Sequence, residues 1–385
     1  MLKTASILLA VLILYSCDDS NKEDSKTDKE VFETDHAIEI DTVVCAVNLF
    51  SIDGYFRIVE NEIVYVQASI ENTLWFDEDG NYRGEKLGSG YGPAEANGDL
   101  MYHGFMPNGN NLFLGSNYIF KIFTSDLEEI KKKVNFTWAS RQSLYNTDEL
   151  IDPSMYDFHY RDEPFIDSQW LPVINNMAVI PVNINDYINP VANLTKKPEA
   201  FFGSAYTIGL VDLETGVLKR VFRKHSEPFT NNKWLYFYNF PYRATSGTEI
   251  FVSDRLGPFI DVFDTEGNLQ GRFGEEGRFL NRRLDTYKSY EDFLSALGIE
   301  TTLQYSYYTH IFYDKSKDFV FRSYHIKNLN EWGLQVYDDQ RQLIFDQLVP
   351  FRFNVIGKID DYYYADGLKD EENNKLAIYR FRLPN

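Results

Sequence analysis

The chain has six histidines, at positions 36, 103, 159, 225, 310 and 325. They come first because a neutral imidazole can ligate a metal or carry a proton near neutral pH. No pair has the H-x-x-x-H or H-E-x-x-H spacing that sets two rings on one face, so the sequence predicts no metal and no cofactor. His310 and His325 nevertheless fall in or beside β-prone runs, where groups from separate strands can converge without a local motif, and both are candidate ligand-binding residues. Nucleophilic chemistry has no local support. There is no G-x-S-x-G elbow, and Gly88-Ser89-Gly90-Tyr91 lacks the strand-to-helix turn such a serine needs. With 58 Asp plus Glu, any acid/base pair chosen from spacing alone would be arbitrary.

The carboxylates show one regularity. An Asp closes an apolar run at 77, 212, 264 and 338. Calcium loops space several oxygens closely, as in D-x-D-x-D-G, and Asp77-Glu78-Asp79-Gly80 is too short for that, so these aspartates read as turn caps. Gly88–Gly98 is glycine-rich, but no Gly-Lys-Ser/Thr follows and no helical pattern begins there, so it reads as a link between strands rather than a phosphate cradle. Tyr91 and Glu95 in that link, with Asp254 and Arg255 in a later turn, complete the candidate ligand-binding set. Trp138, Tyr156, Trp170 and Trp234 lie near these loops in sequence and could stack on sugar rings or peptides.

These residues must be carried by strands. Phe251–Phe279 is the clearest unit: Ile250-Phe251-Val252 is an apolar run, Ser253 to Pro258 breaks it, FIDVFD alternates, and Thr265-Glu266-Gly267-Asn268 turns the chain into Leu269–Phe273. Gly267 is placed to take positive φ in that hairpin. The pattern of strand, S-D, short loop, I-D-V-F-D-x-x-G-N, strand and G-E-E-G-R-F resembles the NHL-type and TolB-like repeats of six-bladed β-propellers. The whole chain is similar to uncharacterised TolB-like propeller lipoproteins of Gram-negative bacteria. The resemblance implies an all-β fold at the cell envelope and implies no ligand.

Weaker copies support the period. Apolar-apolar-turn triplets end at 77, 124, 212, 264, 338 and 380, stepping by 47, 88, 52, 74 and 42 residues, against about 40 to 50 for a four-stranded blade. Six copies are expected, with seven blades as the alternative if the step of 88 hides one. Otherwise it holds a loop-rich insertion between Ser140 and Pro198 with a strand at Val173–Val182, and the step of 74 holds a short helix near Tyr290–Gly298. The C-terminus offers strands at Asp361–Ala365 and Leu376–Leu383, and Thr42–Phe50 is the candidate to complete that last blade and cover its edge.

Residues 1–16 (MLKTASILLAVLILYS) read as a signal peptide, and Leu14-Tyr15-Ser16-Cys17 resembles the lipobox of bacterial lipoproteins, with Cys17 as the lipidated residue. Residues 17–35 form an acidic tether and 36–385 the propeller domain. With Cys17 lipidated, Cys45 has no disulfide partner and reads as a small buried hydrophobe. A net charge of −20 argues against nucleic acid and anionic lipid surfaces. The expectation is an outer-membrane lipoprotein, held by lipid on Cys17 with the leaflet left open. It would act as a non-catalytic binding or scaffold module for an envelope protein, peptide or glycan. The alternative is an envelope polysaccharide lyase or hydrolase with its site in the propeller channel.

Overall fold

The structure is a computed structural model that describes residues 38–384, except 46, 48–53, 69, 89–91, 93–94, 96–99, 116, 138–152, 154–155, 159–169, 185–197, 232–238, 281–304, 328–330 and 371–374. Strand β1 (Ile40–Cys45) begins the propeller unit, which spans Ile38–Asn385. Six antiparallel sheets follow one another around a ring, a six-bladed β-propeller.

Blade 1 is β2 (Tyr55–Val59), β3 (Glu62–Gln67), β4 (Asn72–Phe76) and β5 (Tyr82–Lys86); blade 2 is β6 (Tyr102–Phe105), β7 (Asn111–Leu114), β8 (Ile119–Phe123) and β9 (Ile130–Asn135). Blade 3 takes β10 (Tyr156–Phe158), β11 (Val173–Ile174), β12 (Met177–Ile184), β13 (Tyr206–Asp212) and β14 (Leu218–Lys224). Its innermost position is split, because β10 and β11 pair with opposite ends of β12. Blade 4 is β15 (Tyr242–Thr245), β16 (Glu249–Ser253), β17 (Ile260–Asp264) and β18 (Leu269–Phe273). Blade 5 is β19 (Tyr307–Asp314), β20 (Phe319–His325), β21 (Glu331–Tyr337) and β22 (Leu343–Pro350). Blade 6 is β23 (Asn354–Ile359), β24 (Tyr362–Asp370) and β25 (Lys375–Phe381), completed on its outside by β1, in register from Ile40 opposite Phe381 to Cys45 opposite Leu376.

Burial follows position in the blade. Every residue of β2 is buried, whereas β18 exposes four of its five, so the inner strands form core and the outer ones meet solvent. Aromatic side chains fill the seams between blades, as where Phe251 of blade 4 stacks on Tyr313 of blade 5 at 5.4 Å.

Each of the six triplets found in the sequence ends the third strand of a blade or lies within it. Five carry a register shift inside the triplet, between Trp75 and Phe76, Ile122 and Phe123, Leu210 and Val211, Val262 and Phe263, and Val336 and Tyr337. The turn that follows is capped as expected. Asp264 Oδ1 accepts from the backbone N–H groups of Glu266 and Asn268, and Gly267 takes φ +75° where a Cβ would press on Phe222.

The 88-residue step is a single blade with an insertion, which removes the seven-blade alternative. The strand expected over Val173–Val182 is two strands, β11 and β12, because Asn175 and Asn176 both adopt positive φ (47° and 61°) and turn the chain back. At the C-terminus there are three strands rather than two, and β23 supplies the one that was missed. The expected helix at Tyr290–Gly298 lies outside the described residues. Two short helices elsewhere, α1 (Pro198–Ser204) and α2 (Glu227–Asn231), lean on blade 3.

Candidate functional site

Two groups of polar side chains stand out from the apolar packing. The first lies on the ring axis and draws on every blade. Blade 1 contributes Arg57 from β2, blade 2 contributes His103 from β6, and blade 3 contributes Trp170, which bridges to His103 in parallel. Blade 4 contributes Arg243 from β15, blade 5 His310 from β19, and blade 6 the Val355 carbonyl of β23. The charged and imidazole groups are nearly inaccessible, at 3% exposure for Arg57, 0% for His103, 3% for Arg243 and 4% for His310. The inner strands approach closely enough here that a Cβ on Gly104 would collide with the Leu171 carbonyl oxygen.

The protonation states follow from the hydrogen bonds. Asn111 Nδ2 donates to the carbonyls of Thr124 and Ser125, so its Oδ1 is the acceptor facing His103 Nε2 at 2.8 Å. The Val355 carbonyl likewise accepts from His310 Nε2 at 2.7 Å. Both neutral rings therefore carry hydrogen on Nε2, and among the described residues neither Nδ1 has a hydrogen-bond partner. Burial, reinforced by the Arg57 charge, pushes both imidazoles down to about 3.

Arg57 packs its guanidinium over Tyr55 at 4.4 Å and 5.5 Å from the Trp170 ring, and Nη1 donates to the Phe56 carbonyl at 2.7 Å. Among the described residues its Nε and Nη2 have no hydrogen-bond partner. Arg243 donates from Nη1 to the Pro241 carbonyl and from Nη2 to the Trp170 carbonyl, its Nε has no partner among the described residues, and burial pulls it down to about 10.

The second group lines the seam between blades 3 and 4. Arg223, held at φ +61° within β14, sends Nη1 and Nη2 to the two oxygens of Asp254 (2.9 and 2.6 Å) and Nε to Asp261 Oδ2 (3.0 Å). Arg272 of β18 occupies the other Asp261 oxygen at 2.6 Å and lies over the exposed Phe259 ring at 5.3 Å. Burial would raise the Asp254 carboxyl, but the Arg223 charge and its hydrogen bonds bring it below the usual range. A cleft of about 390 Å³ opens beside this network, lined by Arg223, Ser226, Asp254, Pro258, Phe259 and Arg272. Beneath it His225 sits against Phe201 and Phe202, bonds Asn239 through Nδ1, and is pushed by burial down to about 4.

The candidates chosen from sequence are distributed rather than gathered. Asp254 belongs to the blade 3–4 network, while its neighbour Arg255 turns towards blade 5, donating to the Tyr242 hydroxyl and lying 5.2 Å from the Tyr307 ring. His310 is on the axis. His325 is packed against Tyr307 and Trp332, and burial takes it to about 4. Glu95 accepts from the backbone N–H of Gly92 at 2.6 Å, and Tyr91, like Trp138 and Trp234, lies outside the described residues. Tyr156 is buried in the core, and the Cys45 thiol, also buried, is pushed up to about 12. Among the described residues no three His, Cys, Asp or Glu side chains gather around a common point.

Arg57, Arg243, Arg223 and Asp261 were not among the sequence candidates. Arg57, Arg243 and Asp261 share a signal, a charged residue inside a short and mostly apolar strand, as in YFRIV, YRAT and IDVFD, which becomes visible once the blades are phased; Arg223, in the basic strand LKRVFRK, carries no such signal.

Fold and site together define a six-bladed β-propeller with a buried cationic axis and an ion-paired interblade cleft. No protein-family model matches the sequence, and no curated protein is similar to it. In fold it is similar to a member of the DUF4221 family from Bacteroides vulgatus, at 14% identity and a TM-score of 0.61 over 90% of this chain and 99% of that one. A candidate exported protein from Bacteroides fragilis aligns at 14% identity and a TM-score of 0.48, over 90% and 96% of the two chains.

Proposed function

We propose that this protein is a lipid-anchored propeller of the outer envelope that works as a non-catalytic binding or scaffold module, held through Cys17 and the acidic tether at residues 17–35. The observation that carries the reading is the cleft between blades 3 and 4. Open volume there adjoins carboxylates whose oxygens are already taken by arginine: both of Asp254 by Arg223, and those of Asp261 by Arg223 and Arg272. Asp254, held ionised by Arg223, does not exchange a proton at neutral pH. It fixes the shape of a recognition surface, on which the exposed Phe259 ring and the Arg272 guanidinium offer an apolar and a cationic contact to an envelope protein, peptide or glycan.

The test compares the full lipidated protein with Cys17→Ala and Phe259→Glu forms, each purified with its bound partners from detergent-solubilised membranes. The expected result is a stoichiometric partner that is lost with Phe259→Glu, and release of the Cys17→Ala protein from the membrane fraction. Turnover of an envelope glycan or peptide by the soluble domain, with no partner retained, would replace this reading with the enzyme.

A further inference from the structure

Strand β14 runs against the charge of the chain. Its sequence LKRVFRK carries Lys219, Arg220, Arg223 and Lys224 and no carboxylate, in a protein whose net charge is −20. Arg223 is spent on Asp254 and Asp261, and the other three border a second cleft, of about 620 Å³, that shares Arg272 and Asp261 with the smaller one. Asp261 is the one carboxylate among the described residues lining it, and its two oxygens are already held by Arg223 and Arg272.

Three cations therefore reach this cleft with little to offset them. Lys224 is exposed and has no carboxylate partner among the described residues; its ammonium lies 5.9 Å from the Tyr206 ring. Arg220 donates to the neutral Asn268 Oδ1 at 2.9 Å, while Asp264 acts on it through space. Lys219 is half exposed, and its 3.7 Å contact with Asp212 is a surface pair that contributes little. The outer strand of blade 2 shows the contrast. It has three successive lysines, but Lys131 and Lys132 are taken by Glu129 and Glu214.

The same strand leaves backbone unpaired. β14 bonds β13 along one edge, and its other edge is met only at its foot, where Thr137 donates to the Gly216 carbonyl and bridges Val217. Beyond that point no strand pairs with it among the described residues. An open edge is a template for one more extended segment. Arg220 and Lys224 stand four residues apart, about 13 Å along a strand, so acidic side chains at that spacing in an added segment meet both. From blade 4, Leu269 adds an apolar contact, 59% exposed at the border of the cleft.

We propose that an acidic, extended peptide segment of a partner protein docks along β14 as an added strand, with its carboxylates on Arg220 and Lys224 and its backbone on the free edge. A compact anion would use the charges and leave the edge unpaired. A uronate glycan has no amide ladder to offer it. The acidic peptide narrows, and rests on, the docking reading given above for this seam.

The test titrates the full lipidated protein in detergent into fluorescein-labelled hexaglutamate and follows anisotropy. Salt is held at about 0.15 M, where charges more than roughly 8 Å away are screened and the acidity of the whole chain repels the peptide little. The expected result is saturable one-to-one binding. Methylating alternate backbone nitrogens of the peptide keeps its charge, removes donors from the ladder and should weaken binding by about tenfold. Oligogalacturonate of equal charge should displace the peptide poorly. Reversing charge with Arg220→Glu and Lys224→Glu together should cost about tenfold or more. No saturable binding up to millimolar peptide would overturn the proposal. So would a methylated peptide that binds like the parent peptide, or an oligogalacturonate that competes as well as hexaglutamate, since either outcome makes β14 a plain anion site. These three readouts use the unmutated protein, so they hold however the variant folds. Failure of the docking reading shows instead as no partner in the membrane purification, whatever hexaglutamate does.

Discussion

Asp254 and Arg223 show how a side chain nominated for one role takes another. Asp254 was chosen from a turn as a ligand-binding candidate, and it is the buried acceptor of a guanidinium from the preceding blade. The partner is 31 residues away and belongs to a different sheet, so nothing in local spacing could have paired them. Removing one member leaves the other buried and uncompensated, and Asp254→Ala should lose about 3–5 kcal/mol of unfolding free energy in a denaturant titration. The contribution also has a sign in pH. The folded carboxyl titrates below its unfolded value near 3.9, so its stabilisation is complete above about pH 4 and disappears as pH falls through the lower folded value. The gap in midpoint between parent and Asp254→Ala should therefore stay constant from pH 8 to 5 and narrow only in stronger acid. A gap that shrinks already between pH 7 and 6 would mean that Asp254 is not held ionised by Arg223. The axial residues were still harder to read. Arg57, His103, Arg243 and His310 occupy four separate strands, and each looks like an isolated polar residue in an apolar run until the ring brings the strands together.

At the scale of strands, legibility followed locality. The third strand of blades 1 to 5 was visible because its apolar pair, the bulge and the turn fall within a few residues of one another. Blade 3 was harder because its innermost position is divided between β10 and β11, and neither piece is long enough to show a period. The closing strand could be inferred from a deficit, since a terminal blade short of a strand leaves an edge to cover. β1 meets that need with Val43 and Cys45 buried among Phe56, Ile58, Leu376 and Ile378. Val43 lies opposite Ile378 in the middle of this pairing; the Thr42 N–H turns away to the Asp41 carboxylate, so in the alternating ladder the N–H of Val43 faces β25, and a proline at 43 removes that donor and stiffens the chain. Val43→Pro should strip β1 from β25, expose that edge and turn a discrete species into aggregates in size-exclusion chromatography. A variant that elutes and melts like the parent would show that β1 is dispensable for closure.

The ring as a whole makes one further demand, because it buries all four histidines found among the described residues. His103 and His310 on the axis, His225 behind the blade 3–4 seam and His325 in blade 5 are each between 0% and 7% exposed. Burial leads in every case, lowering them to about 3, 3, 4 and 4 against a usual value near 6.5. The folded molecule thus declines protons that the unfolded chain accepts. Above about pH 7.5 both states are neutral at these sites and stability does not depend on them. Below it the unfolded chain gains protons first, and folding loses about 1.4 kcal/mol per pH unit for each such histidine until the folded values are reached. This window lies above the one governed by Asp254, so acid should weaken the propeller well before its carboxylates protonate. Urea midpoints at pH 8.5, 7.5, 5.5 and 5.0 should be level between the first two and fall steeply across the last two, with net proton uptake on unfolding in the same range. His103→Gln should lessen that slope by about 1.4 kcal/mol per pH unit, since it removes one of the four groups. A midpoint unchanged from pH 7.5 to 5.0 would mean that the rings take up protons inside the fold, which requires a polar or ion-filled axis with room to receive them.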